Sequence, residues 1–101
     1  MSRTPEAVEK AKVRKYLTEI GAYHFWPVPS GYGQPGIDCY ACILGTFWAI
    51  EVKIPKKFPT ARQTQTLNAV FDARGFIIWG TANIIRTQIE NWLANVSRRT
   101  A

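Results

Sequence analysis

The chain has 101 residues, 47% of them apolar, 20% charged and 13% aromatic, which points to one globular domain rather than a disordered or fibrous chain. No apolar run reaches the ~18 residues of a membrane span, no signal-peptide core follows Met1, and two cysteines are too few for a disulfide framework, so the expected setting is a reducing cytoplasm with no membrane partner. Thirteen Lys and Arg against seven Asp and Glu give a net charge of +6, the balance of a protein that meets a polyanion such as DNA; a basic protein merely kept soluble by its charge is the plainer alternative.

Thr4-Pro5-Glu6 reads as a helix start, with an N-cap, a proline at the first helical position and an acid in the first turn. Val13, Tyr16, Leu17 and Ile20 follow at helical spacing, and Gly21 ends the helix. Glu6 and Glu9 continue this stripe toward the N-terminus, so its upper end is acidic. Residues 23–28 predict a short aromatic strand and residues 29–36 a loop. Residues 37–44 are the next strand, Gly45-Thr46 a tight turn, and residues 47–54 a third strand in a hairpin with the second. A basic, proline-bounded connection leads to Thr60, which opens a second helix with a capping box to Gln63. Leu67, Val70 and Phe71 form its apolar face, and Gly75 ends it. Residues 76–79 predict a buried fourth strand. A last helix over residues 81–97 carries Ile84, Ile85, Ile89, Trp92, Leu93 and Val96, with Arg98-Arg99 as a frayed end. The order α-β-β-β-α-β-α predicts an α/β domain with one mixed sheet flanked by helices.

The hairpin holds the chemistry. Of the eighteen residues from Ile37 to Ile54, only Asp38, Glu51 and Lys53 are charged. Residues two apart on a strand share a face, so Glu51 and Lys53 point the same way, with Phe47 and Ala49 before them. The turn lies midway between Asp38 and Glu51, which brings the two acids together. Burying carboxylates among apolar residues costs several kcal/mol unless they are paired or bind a metal. Two carboxylates beside an ammonium suit Mg²⁺, which takes one or two carboxylates plus waters and substrate phosphates. The bland alternative is a salt-bridged Glu51/Lys53 pair on a half-exposed edge strand.

Asp38 followed by Glu51-Val52-Lys53 resembles the core motif of the PD-(D/E)XK nuclease superfamily. Thr4-Pro5-Glu6, the Gly31-Tyr32-Gly33 loop, Ile50-Glu51-Val52-Lys53, and Pro59-Thr60-Ala61-Arg62-Gln63 ahead of Gly75 extend the likeness over residues 4–80 to the small stand-alone VRR-NUC domains. The resemblance implies a restriction-endonuclease-like fold and a Mg²⁺- or Mn²⁺-dependent DNA endonuclease. It also implies homodimers and branched, Holliday-junction-like substrates. On that pattern Asp38 and Glu51 are metal ligands, Lys53 stands beside the attacking water, Glu6 supports the metal directly or through water, and Gln63 orients the lysine or the water. The chain departs from the family in one place: Pro35-Gly36-Ile37-Asp38 stands where the family has Pro-Asp.

Each assignment has a rival. Glu9 competes with Glu6, and helix-dipole complementarity explains either. A capping box alone explains Gln63. Lys56, Lys57 and Arg62 are candidate phosphate contacts or a solvated basic connection. Cys39 and Cys42 fall on opposite faces of a strand, and His24 sits in an aromatic one, so all three read as packing residues. Exposed Tyr23, Phe25 and Trp26 point to a dimer. The alternative function is a non-catalytic basic DNA-binding module on the nuclease fold.

Overall fold

The computed structural model describes residues 3–28 and 36–100; the Gly31-Tyr32-Gly33 stretch lies outside them. The elements run α1 (Pro5–Glu19), β1 (Tyr23–Phe25), β2 (Cys39–Ile43), β3 (Thr46–Val52), α2 (Ala61–Asp72), β4 (Phe76–Gly80) and α3 (Ala82–Thr100). The four strands form one sheet in the order β1-β2-β3-β4. β1, β2 and β3 are successively antiparallel, and β4 returns parallel to β3 through α2. This mixed sheet with its flanking helices is the α/β architecture the sequence predicts.

The helix ends follow local chemistry. The Thr4 hydroxyl accepts the Ala7 N–H at 3.1 Å, with Pro5 in the first turn. At the other end Gly21, at φ +75°, takes the left-handed position of a Schellman motif, in which the Ala22 N–H donates to the Leu17 carbonyl. α2 ends the same way one residue earlier than expected: Arg74, not Gly75, is left-handed (φ +77°), and the Gly75 N–H reaches the Val70 carbonyl. α3 runs through Arg98-Arg99 to Thr100, because no glycine or proline follows Ser97 to stop it.

The two faces of the sheet are covered unequally. On one, Cys39, Ala41, Ile43, Trp48, Ile50, Val52 and Ile78 pack against Val13, Tyr16 and Leu17 of α1 and Ile85 and Ile89 of α3. The Tyr16 hydroxyl donates to Glu90 Oε2 at 2.6 Å, tying α1 to α3, and burial pushes its pKa up. On the other face, among the described residues, Leu67 of α2 packs with Ile37 and Ala49, with Tyr40, Val70 and Ile77 at the margin.

Three local expectations are corrected. The hairpin turn is Leu44-Gly45, with Ile43 opposite Thr46; both turn residues have positive φ (+49° and +79°), as a two-residue turn matched to strand twist requires. β4 is an edge strand, so Phe76 and Trp79 remain more than a third exposed and only Ile78 and Gly80 are buried. Phe71 is 62% exposed; α2 lays only its Leu67–Val70 side on the sheet.

Candidate active site

β3 alternates as expected: Trp48, Ile50 and Val52 face α1 and α3, while Ala49 and Glu51 face the α2 side. Cys39 pairs with Ile50, so Asp38, one residue earlier, lies beside Glu51, one residue later. The two residues clasp reciprocally. The Asp38 N–H donates to Glu51 Oε1 at 2.9 Å, and the Val52 N–H donates to Asp38 Oδ2 at 2.9 Å. Each acid thus closes the backbone ladder where the other strand ends.

Glu51 is 1% exposed, the one buried charged residue among those described. Two donors meet its Oε2: the Gln63 amide Nε2 at 2.6 Å and the Lys53 Nζ at 3.5 Å. Burial is the largest influence on its carboxyl and raises it to about 7; the neighbouring Asp38 charge adds to this, while the Asp38 N–H and Lys53 oppose it. A carboxyl that titrates near neutrality inside a charged cluster is the mark of a candidate functional group.

Gln63 answers both readings of itself. Its Oε1 accepts the Thr60 N–H at 2.9 Å in a complete capping box, while its Nε2 holds Glu51. Lys53 is placed by the far strand: its N–H donates to the Gly80 carbonyl at 2.7 Å. Gly80 has φ +146°, and a Cβ there would lie 3.1 Å from the Ile84 side chain, so a glycine is what lets β4 turn into α3 at this point.

The two acids near the start of α1, Glu6 and Glu9, separate. Glu9 Oε1 accepts the Ala82 N–H at 2.9 Å, capping α3, and its other oxygen meets Lys12 at 3.4 Å. Glu6 is half-exposed, and the Lys10 ammonium stands between it (3.8 Å) and Asp38 Oδ1 (3.3 Å). Lys10 is the residue the sequence reading missed. Its i,i+4 relation to Glu6 was readable, but it looks like one more surface lysine beside Lys12, Arg14 and Lys15.

An open cleft of about 510 Å³ has walls that include Glu6, Lys53, Lys57, Phe58 and Thr60; neither Asp38 nor Glu51 lines it, and Lys53, 3.5 Å from Glu51, links it to the acids. Lys56 and Arg62 are exposed and do not line it. His24 faces the other side of the sheet, where its Nδ1 accepts the Trp26 indole N–H at 2.8 Å. Cys39 is buried and Cys42 exposed, on opposite faces.

Among the described residues, no group of three or more His, Cys, Asp and Glu side chains that could hold a metal ion converges. The acid pair offers two carboxylates, the hard oxygen donors that Mg²⁺ takes, and the Lys10 ammonium stands 3.3 Å from Asp38 Oδ1. No protein-family model matches the chain, and no curated protein matches it.

Proposed function

We propose that the chain is a metal-dependent DNA endonuclease that hydrolyses a phosphodiester at the Asp38/Glu51 pair. The observation that carries this reading is the clasp itself: two acids, one almost wholly buried, with Lys53 and Gln63 directed at a single carboxylate oxygen. The likeness to VRR-NUC domains and the +6 charge support it.

Asp38 and Glu51 would hold Mg²⁺ or Mn²⁺, with Glu6 reaching the site through the position that Lys10 occupies. The bound cation supplies Lewis-acid charge at the phosphate and acidifies a water. Gln63 fixes the Glu51 carboxylate from one side. Lys53 stands 3.5 Å from Glu51 at the cleft wall, where its ammonium donates to the attacking water and offsets charge growing on the phosphate. Lys57 on the same cleft meets the DNA backbone. Water adds to phosphorus and gives up a proton to solvent, the P–O bond to one sugar breaks, and the departing oxygen takes a proton from solvent.

A second reading rests on one observation. All four oxygens of the acid pair already have partners within the chain, so the clasp could serve only to join two strand ends in a non-catalytic DNA-binding module. Nicking of supercoiled plasmid in Mg²⁺, in Mn²⁺ and in EDTA separates the two. The nuclease reading requires nicks with metal and none in EDTA, lost in Lys53→Ala. Plasmid binding without nicking in either metal selects the module.

A further inference from the structure

α2 lies over β3 and β4 and leaves the β1–β2 end of its own face open. That surface carries four rings: Tyr23 and Phe25 on β1, Tyr40 on β2 and Phe47 on β3, lining a shallow groove of about 520 Å³. Tyr23, Phe25 and Phe47 are 73%, 55% and 48% exposed. Tyr40 and Phe47 are already stacked on each other, with centroids 5.7 Å apart and planes at 25°. We propose that these rings form a stacking platform for unpaired bases of the DNA strand that enters the Asp38/Glu51 site, so that the substrate class is DNA with a single-stranded segment. The proposal rests on the nuclease reading for the strand's destination and on the rings alone for its footing.

Register ties the platform to the acids. Phe25, Tyr40 and Ala49 lie in one row across the sheet, and Glu51 is two residues beyond Ala49 on the same face. Two residues along a strand and one strand across place Tyr40 roughly 8 Å from the acid pair by strand geometry. That is close enough for one strand to span both.

Charge selects the occupant. Among the described residues, no acidic side chain lines this groove or the adjoining one at Phe47, where Arg74 supplies the charged group. A polyanion gains from that arrangement and from the chain's +6. A second copy would bring another +6 with no acid at the patch to meet Arg74, so the rings fit bases better than they fit a dimer. Every base offers a face for stacking, which gives sequence-tolerant binding.

The test is metal-free, so that cutting plays no part. Fluorescence anisotropy in EDTA compares fluorescein-labelled oligo-dT, on the order of 16 nucleotides, with a blunt duplex of the same length. The proteins are full-length wild type, Tyr23→Ala, Phe25→Ala and Phe25→Trp; the mutated side chains are exposed, and circular dichroism checks the fold. Each alanine variant should lose roughly 5- to 150-fold in oligo-dT affinity, the scale of one stacked base, with a smaller change on the duplex, and Phe25→Trp should keep the affinity. Alanine variants that bind oligo-dT as wild type does overturn the platform, as does light scattering in which wild type is a dimer that these substitutions split while oligo-dT affinity stays constant. The two readings fail separately. Wild type that binds oligo-dT through these rings but nicks no plasmid in Mg²⁺ or Mn²⁺ keeps the platform and removes the nuclease. Metal-dependent nicking beside unchanged oligo-dT binding does the reverse.

Discussion

The two faces of the sheet divide the labour of the molecule. The face under α1 and α3 is dry and continuous, built from Val13, Leu17, Ile50, Val52, Ile85 and Ile89, all at most 1% exposed. The face under α2 has a small apolar cluster around Ala49 and Leu67, then a buried acid, a partly buried lysine, three exposed rings and the half-buried Tyr40. One face holds the fold and the other holds the charged cluster. A 101-residue chain has area for one good core, and charged groups can be buried only where that core is not.

The comparison breaks most visibly in the dry face. Leu17→Ala should cost about 2–5 kcal/mol, the range for a large-to-small change in a packed core, read as a shift in urea midpoint. A change below about 0.5 kcal/mol would mean that this face does not hold the fold.

The site face should show its cost through pH. The Glu51 carboxyl titrates near 7 when folded, above the ordinary value of 4.5, so the native state holds this proton more tightly than the unfolded one. Its contribution is then full below about 4.5 and is lost as pH rises through about 7, to a total of roughly 3 kcal/mol. Glu51→Gln cannot titrate. Whatever the offset between them at pH 4.5, wild type should lose ground against the variant by that order up to pH 8, as measured by urea unfolding. A constant offset would place the Glu51 proton elsewhere.

Lys53→Ala should lower metal-dependent cleavage by about a hundredfold or more, the scale of losing a positioned general acid–base or electrostatic group. Mg²⁺ should still raise its Tm, because the acids remain, whereas Asp38→Asn should lose that shift. Equal Mg²⁺ shifts in both variants would put the ion somewhere other than Asp38. The smallest effect belongs to the part of α2 that touches neither face: Phe71→Ser should change stability by less than about 0.5 kcal/mol.

The sequence made the hairpin legible because strand alternation is a strict period of two: once Ala49 faces α2, Glu51 must as well. The element order and the capping box were equally local and equally readable. What escaped were tertiary matters. Trp79 and Phe76 look buried by composition, but β4 has a neighbour on one side only. The turn slipped by one residue because Leu44 adopts a left-handed conformation that leucine disfavours. Lys10 is separated from Asp38 by 28 positions and became part of the site only when α1 docked across the sheet. Glu9 was likewise drawn into a tertiary contact that its own helix does not announce, since the first amide of α3 donates to it.

Gln63 carries one further implication. A single amide both caps α2 and grips Glu51, while α2 contributes Leu67 as its one buried side chain. Among the helices, this is the element with the thinnest hold on the sheet, and it should open before the rest in partial unfolding. When it lifts, Glu51 loses its shortest contact at once. Amide hydrogen exchange should therefore find α2 less protected than α1 and β3, and the acid pair should come apart in a state whose far face is still intact. The geometry of the acid pair should then be lost first in partial unfolding, set by how long one helix stays down.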